Sequence, residues 1–168
     1  MGTNPYKIYF ITCITGKTRI LLVPNAFDRT IDHMYMIPHL PAATNSLIQE
    51  AVSRVLKISE DQVSWVILYG SFSAGNQRED SDIDLCVYLE AGKDDRFRIR
   101  RKILGSLEEK FDVQIFQDIP IYIRLEVLKG QVLFCRDVSQ LNDIAYSTIL
   151  DYNLFEHSYK LYLGMSDY

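Results

Sequence analysis

Residues Val66 to Leu89 read VILYGSFSAGNQREDSDIDLCVYL, two short apolar runs around a polar middle. The first run ends at Gly70-Ser71, and the second opens with Asp82-Ile83-Asp84, with ten residues between Ser71 and Asp82. Apolar runs of this length, bounded by turn residues, predict strands. Side chains alternate across a strand, so Asp82 and Asp84 share a face with Cα atoms about 6.7 Å apart. A buried, unpaired carboxylate is strongly disfavoured. Two of them so placed make sense with a divalent cation between them.

Working outward toward the N-terminus, Ser64–Tyr69 is the first strand, buried on both faces by its composition. Ser59–Gln62 fits the S-x-x-Q pattern but lacks a long helix behind it, so it is a turn. Ala42–Lys57 is a helix, capped by Thr44 or Asn45, whose stripe is Leu47, Ile48, Ala51, Val52, Val55 and Leu56. Before it, Tyr6–Ile14 and Arg19–Val23 flank Thr15-Gly16-Lys17-Thr18 and predict a β-hairpin. Gly16-Lys17-Thr18 resembles the end of a P-loop by chance only, because Ile11 stands where the first Gly is required. Pro24–Pro41 is irregular. His33 and His39, near Asp28 and Asp32, have no metal-ligand spacing.

Toward the C-terminus, the Asp82–Leu89 strand turns Ile83, Leu85 and Val87 one way and Asp82, Asp84, Cys86 and Tyr88 the other. A helix over Lys93–Lys110 follows, with Phe97, Arg100 or Arg101, Ile103 or Leu104, Leu107 and Phe111 at the 3.6-residue period. Its first half is basic, a solvated face or a surface for a phosphate-bearing substrate or an acidic partner. Asp112–Phe116 is a third strand, headed by another carboxylate. Ile119–Lys129 is a helix with Pro120 in its first turn. Val132–Cys135 is a short strand. A terminal helix then runs from an Asp137 or Ser139 cap to about Leu163. Its stripe of Leu141, Ile144, Ala145, Thr148, Ile149, Tyr152, Phe155, Tyr159 and Tyr162 is core, or a docking face for another chain, an oligomer included. The expected class is α+β: a small mixed sheet flanked by helices. Residues 1–41 are a hairpin appendage, 42–136 the functional domain and 137–168 a terminal helix.

Composition removes several classes of function. A net charge of −4 argues against direct nucleic-acid binding. No apolar run reaches membrane-spanning length, and no signal-peptide or myristoylation pattern opens the chain. Cys13, Cys86 and Cys135 are odd in number and widely spaced, so they read as reduced thiols of a cytoplasmic protein rather than as zinc ligands or disulfides.

Three strand-associated carboxylates remain to be explained together. The helix between the second and third strands is long enough for a crossover, so Asp112 can stand opposite Asp82 and Asp84. Clustered carboxylates repel unless cations neutralise them, and two Mg²⁺ ions would do so. Gly70 lets backbone approach a phosphate closely. Ser71 opens a short helical turn through Ala74 whose N–H groups and hydroxyl face an anion. Such a constellation points to phosphoryl or nucleotidyl transfer.

The pattern Gly70-Ser71-x10-Asp82-x-Asp84, inside LYGSFSAG and SDIDL, resembles the signature of the DNA polymerase beta-like nucleotidyltransferases. Within them it is most similar to the minimal nucleotidyltransferases, or MNT proteins. Gly75, Ser81, Ile83 and Leu85 also fit, and Asp112 matches the third metal ligand. The resemblance spans roughly residues 47–136. It implies the polymerase beta-like fold, with ATP as substrate and two Mg²⁺ ions held by Asp82, Asp84 and Asp112. Gly70 and Ser71 would bind the triphosphate. Arg78 would supply the charge that many members carry just before the second Gly, where this chain has Ala74. Many MNT proteins are antitoxins that transfer AMP to a tyrosine of a HEPN-domain toxin, which makes such a toxin the expected partner. The rival expectations are an aminoglycoside-type transferase acting on a small molecule and an antitoxin that binds without catalysis.

Overall fold

A computed structural model describes residues 6–12, 18–24, 40–76, 78 and 81–162. The expected hairpin is present as β1 (Tyr6–Thr12) and β2 (Thr18–Pro24), antiparallel with Thr12 opposite Thr18. The His33 and His39 reading and most of the Gly16-Lys17-Thr18 reading lie outside the described residues.

The second sheet carries the core. Helix α1 (Ala42–Ser59) leads through a 3₁₀ turn (Glu60–Gln62) into β3 (Val63–Tyr69) and the five-residue helix α2 (Gly70–Ala74). Then come β4 (Ile83–Leu89), α3 (Lys93–Leu104) and β5 (Phe111–Ile115). A 3₁₀ turn at Phe116–Asp118, α4 (Ile121–Val127), β6 (Gln131–Cys135) and α5 (Val138–Tyr162) complete the order. The strands run β5-β4-β3-β6 across the sheet. β4 and β5 are parallel, because α3 carries the chain back over the sheet, and the other pairs are antiparallel. The sheet is therefore mixed, as expected.

Both faces of this sheet are covered. On one, Val66, Leu68, Ile83, Leu85, Val87 and Val113 pack with Ile48, Val52 and Val55 of α1 and Ile99 and Ile103 of α3. On the other, Trp65, Ile67, Cys86 and Phe116 pack beneath Val127 and Leu128 and beneath Leu141 and Ala145 of α5. This two-sided cover is why β3 is almost continuously apolar. Each fully buried side chain contributes about 1.5–3 kcal/mol.

Three local expectations need correction. Neither Thr44 nor Asn45 caps α1: Pro41 precedes the first turn, and the buried Asn45 amide donates to the Leu40 carbonyl at 3.0 Å. Helix α3 ends at Leu104 rather than Lys110, where Gly105 and Ser106 close its last turn. Phe97 is 62% exposed, since the buried face of α3 is set by Ile99 and Ile103. Asp137 does cap α5, its Oδ1 accepting the Ser139 N–H at 2.8 Å. Among the described residues no helix is long and apolar enough to cross a membrane.

The stripe of α5 divides. Leu141, Ala145 and Thr148 are buried, whereas Phe155 and Tyr159 are exposed. Tyr152, Phe155 and Tyr159 continue the same side of the helix as a ring ladder, the last two stacked at 5.9 Å.

Candidate active site

The end of β3 is the hinge of the site. Tyr69 is its last residue, and Gly70 follows with φ +70°, a left-handed conformation that L side chains rarely adopt. Gly70 is also where two segments meet. A Cβ at this position would overlap Asp84 Oδ2 and lie 3.1 Å from Asp84 Cγ. The Gly-Ser turn and the Asp-x-Asp strand thus touch through the absence of a side chain. α2 then runs to Ala74, and Gly75, at φ +72°, closes it by donating its N–H to Ser71 O.

The carboxylates are placed by strand register. Tyr69 stands opposite Asp84 across the β3/β4 pair, and Asp84 stands opposite Asp112 across β4/β5. Neighbouring strands lie about 4.8 Å apart, so the three side chains form one row on one face. Asp82 precedes the paired strand and is exposed. Before it the chain makes a tight turn: the Arg78 N–H donates to Ser81 Oγ at 2.8 Å, and the Ser81 N–H donates to Arg78 O at 3.1 Å. Arg78 is exposed at this turn.

Charge is concentrated here. Burial, then the Asp112 and Asp82 carboxylates, push the Asp84 carboxyl up to about 6. The Tyr69 hydroxyl is pushed well above its ordinary range, by burial first and then by Cys86, Asp84 and Asp112, with Arg100 opposing. A row of acids that disfavours its own ionisation attracts a cation, and carboxylate oxygens are hard donors suited to Mg²⁺. Gly70, having no side chain, leaves Asp84 Oδ2 the space that a Cβ there would take. The donor chemistry therefore fits a divalent cation.

Among the described residues, however, no three His, Cys, Asp or Glu side chains close into a metal-binding group. Asp112 is engaged through both of its carboxylate oxygens. Its Oδ2 accepts a hydrogen bond from Gln114 Nε2 at 2.8 Å, and its Oδ1 lies 3.8 Å from Arg100 Nη2. Arg100 is itself anchored, donating from Nε to Val113 O at 2.6 Å.

Sequence reasoning missed Tyr69, Arg100 and Gln114 as members of this site. Gln114 was within reach, since it lies two residues beyond Asp112 on the same strand face. Tyr69 required the register. Arg100 required the direction of α3, whose other arginines are engaged elsewhere. Arg96 pairs with Asp118 at 2.6 Å, Arg98 pairs with Asp95 at 2.7 Å, and Arg101 lies over the Phe97 ring.

Known proteins share sequence and fold with this chain. A relative from Methanocaldococcus jannaschii, described as "Putative protein adenylyltransferase MJ1547", is 33% identical over 85 residues, 51% of this chain. The chain spans 66% of that relative's length. Among solved structures, a toxin–antitoxin crystal structure with AMP-PNP aligns with 68% of this chain and 94% of that chain, at 19% identity and a TM-score of 0.56. The MNT antitoxin complexed with a tri-AMPylated Shewanella oneidensis HEPN toxin aligns with 68% of this chain and 92% of that chain, at 18% identity and a TM-score of 0.50. At such identities these structures establish the shared fold. Residues 50–139, which contain every carboxylate of the row and the whole Gly-Ser turn, match the family described as "Polymerase beta, Nucleotidyltransferase", and the chain belongs to that family.

Proposed function

We propose that the chain is a nucleotidyltransferase that moves AMP from ATP to a hydroxyl, a tyrosine of a HEPN-type toxin being the acceptor. The observation that carries this reading is the Asp84–Asp112 register pair set against the glycine cradle at Gly70. The adenylyltransferase relative and the HEPN–MNT complexes of the same fold support the donor and the acceptor.

Asp82 and Asp84 are the residues that would hold two Mg²⁺ ions, with Asp112 on the catalytic one. Bound there, Mg²⁺ would supply charge neutralisation and a lowered hydroxyl pKa. The chain's own residues do the rest. Gly70 and the α2 turn, with Ser71, receive the triphosphate, because only a glycine leaves room between the backbone and Asp84. Arg78, whose backbone is held in the turn with Ser81, adds positive charge. The hydroxyl oxygen bonds to the α-phosphorus as the bond to the β-phosphate oxygen breaks. Pyrophosphate leaves with that electron pair, and Asp112 accepts the hydroxyl proton.

The exposed Phe155 and Tyr159 on α5 favour a protein acceptor over a small one, because apolar surface of this kind suits a partner chain. The test is incubation with radiolabelled ATP, Mg²⁺ and a HEPN-type protein, with intact-mass detection of added AMP. Asp82→Asn and Asp84→Asn are expected to lower transfer by at least about 10²-fold. Undiminished transfer in Asp82→Asn would overturn the mechanism. Protection from the toxin by a variant lacking both carboxylates would assign the protein to binding alone.

A further inference from the structure

Asp112 is held by two residues that the mechanism above does not use, one on each carboxylate oxygen. Gln114 Nε2 donates to Oδ2 at 2.8 Å from within the same strand, where residues two apart share a face. Arg100 approaches Oδ1 from α3, with Nη2 at 3.8 Å. The two contacts differ in kind. The first is a close, neutral-donor hydrogen bond that fixes the plane of the carboxylate. The second is a longer charge contact made by a group whose firm bond is elsewhere, from Nε to Val113 O at 2.6 Å. Val113 is on β5, the edge strand of the sheet, so its carbonyl gives Arg100 an anchor independent of Asp112. Arg100 is also the nearby positive charge felt by Tyr69, at the far end of the row.

We propose that Gln114 and Arg100 are positioning residues for Asp112. Gln114 sets the carboxylate's orientation, and Arg100 stands in as its counter-cation until a divalent cation arrives. Held by its bond to the Val113 carbonyl, Arg100 would keep its place when a divalent cation took over at Oδ1. This rests on the reading of Asp112 as a metal-binding residue. It also gives the two residues opposite signs. Removing Arg100 removes a competitor and tightens cation binding, whereas removing Gln114 frees the carboxylate and weakens it.

The experiment is titration of the full chain with Mn²⁺, followed by electron paramagnetic resonance of the free ion, after thermal melts of each variant. Arg100→Ala is expected to bind Mn²⁺ tighter by about 3–10-fold, the size of a screened unit-charge contact. Arg100→Lys, which keeps the charge, is expected to stay within about twofold of the parent. Gln114→Leu is expected to bind about tenfold weaker, as found when a hydrogen-bond partner of a ligand is lost. In nucleotidyl transfer Gln114→Leu is expected to lower kcat while leaving KM for ATP unchanged, because Asp112 acts on the attacking hydroxyl.

Asp112→Asn separates the two layers of inference. If it weakens Mn²⁺ at least tenfold while Arg100→Ala and Gln114→Leu stay within twofold of the parent, the positioning roles are wrong and the proposed function stands. Weaker binding by Arg100→Ala also overturns the stand-in role. If Asp112→Asn and Asp84→Asn both leave Mn²⁺ affinity unchanged, the metal reading fails and takes this proposal with it. Should Gln114→Leu fail to fold, the Arg100→Ala and Arg100→Lys pair decides the matter, since that side chain is 31% exposed.

Discussion

Replacing Gly70 by alanine tests the join between the Gly-Ser turn and the carboxylate row. The cost has two parts. An L residue at φ +70° pays about 1–2 kcal/mol for the left-handed backbone. The new Cβ would sit on Asp84 Oδ2 and 3.1 Å from Cγ. Asp84 is half-buried and has two torsions, so it can swing aside for about 0.5–1.5 kcal/mol. The combined loss of about 2–3 kcal/mol lowers Tm by about 5–10 °C for a chain of this size. The functional loss is expected to be far larger. Displacing a reacting group by an ångström costs about 10²-fold in rate, and the side chain displaced is the central carboxylate. Gly130→Ala is the control. Its Cβ would overlap the Leu68 carbonyl oxygen and approach Val127 O to 3.0 Å, which is backbone that cannot swing aside. That variant is expected to melt lower than Gly70→Ala yet retain more activity per folded molecule. Calorimetry and labelled-ATP transfer on both variants measure this. If Gly70→Ala transfers AMP within about threefold of the parent, the close approach at Gly70 has no part in the chemistry.

Other consequences are simpler to measure. The Arg96 guanidinium, donating to both oxygens of Asp118, holds that carboxyl below its usual range. The folded value is depressed, so the pair stabilises above the unfolded pKa of about 3.9 and the effect is lost as pH falls through the folded one. Asp118→Asn should therefore lose about 0.5–1 kcal/mol in urea melts at neutral pH, and progressively less as pH falls below the unfolded value. Burial pushes the Cys86 thiol up, and the Cys135 thiol up to about 12. Neither should react with Ellman's reagent at pH 8 until denaturant is added, and peptide mapping would detect an exception. Phe155→Ser on the exposed run of α5 should change stability by no more than about 0.5 kcal/mol while weakening capture of a HEPN-type partner. An unchanged pull-down would remove that face from the partner surface.

The sequence was informative wherever local chemistry alone sets the structure. The apolar runs of β3 and β4 are buried, the Gly70-Ser71 turn opens a helix that ends at Ala74, and Asp137 caps α5, all as the residue types demand. It was silent where the answer depends on what lies across a gap. Phe97 suited the helical period as well as Ile99 did, and only the packing of α3 on the sheet decides between them. Asn45 offered a capping side chain, but its burial turned the amide inward as a donor. The basic half of α3 read as one face, yet Arg96 and Arg100 serve different partners on β5 and the turn after it. Periodicity assigns a residue to a side, and it takes neighbours to say what is there.

Register is the remaining link between the core and the site. Along the face that bears the carboxylates, each strand changes character by steps of two residues. β4 reads Asp84, Cys86, Tyr88, and β5 with its exit reads Asp112, Gln114, Phe116. β3, running the other way, reads Tyr69, Ile67, Trp65 against them. One end of the face is acidic, and the other is an aromatic cluster of Trp65, Tyr88 and Phe116 with ring centroids 4.9–6.2 Å apart. The opposite face keeps these rows aligned, because Ile83, Leu85 and Val87 of β4 stand beside Phe111, Val113 and Ile115 of β5, all buried. A slip of one residue in β5 would turn Asp112 into the layer of Ile99 and Ile103 and expel Val113 from it. Burying that carboxylate unpaired would cost several kcal/mol, comparable to a large share of the stability of an ordinary domain. The apolar face, which takes no part in the chemistry, thus holds Asp112 level with Asp84.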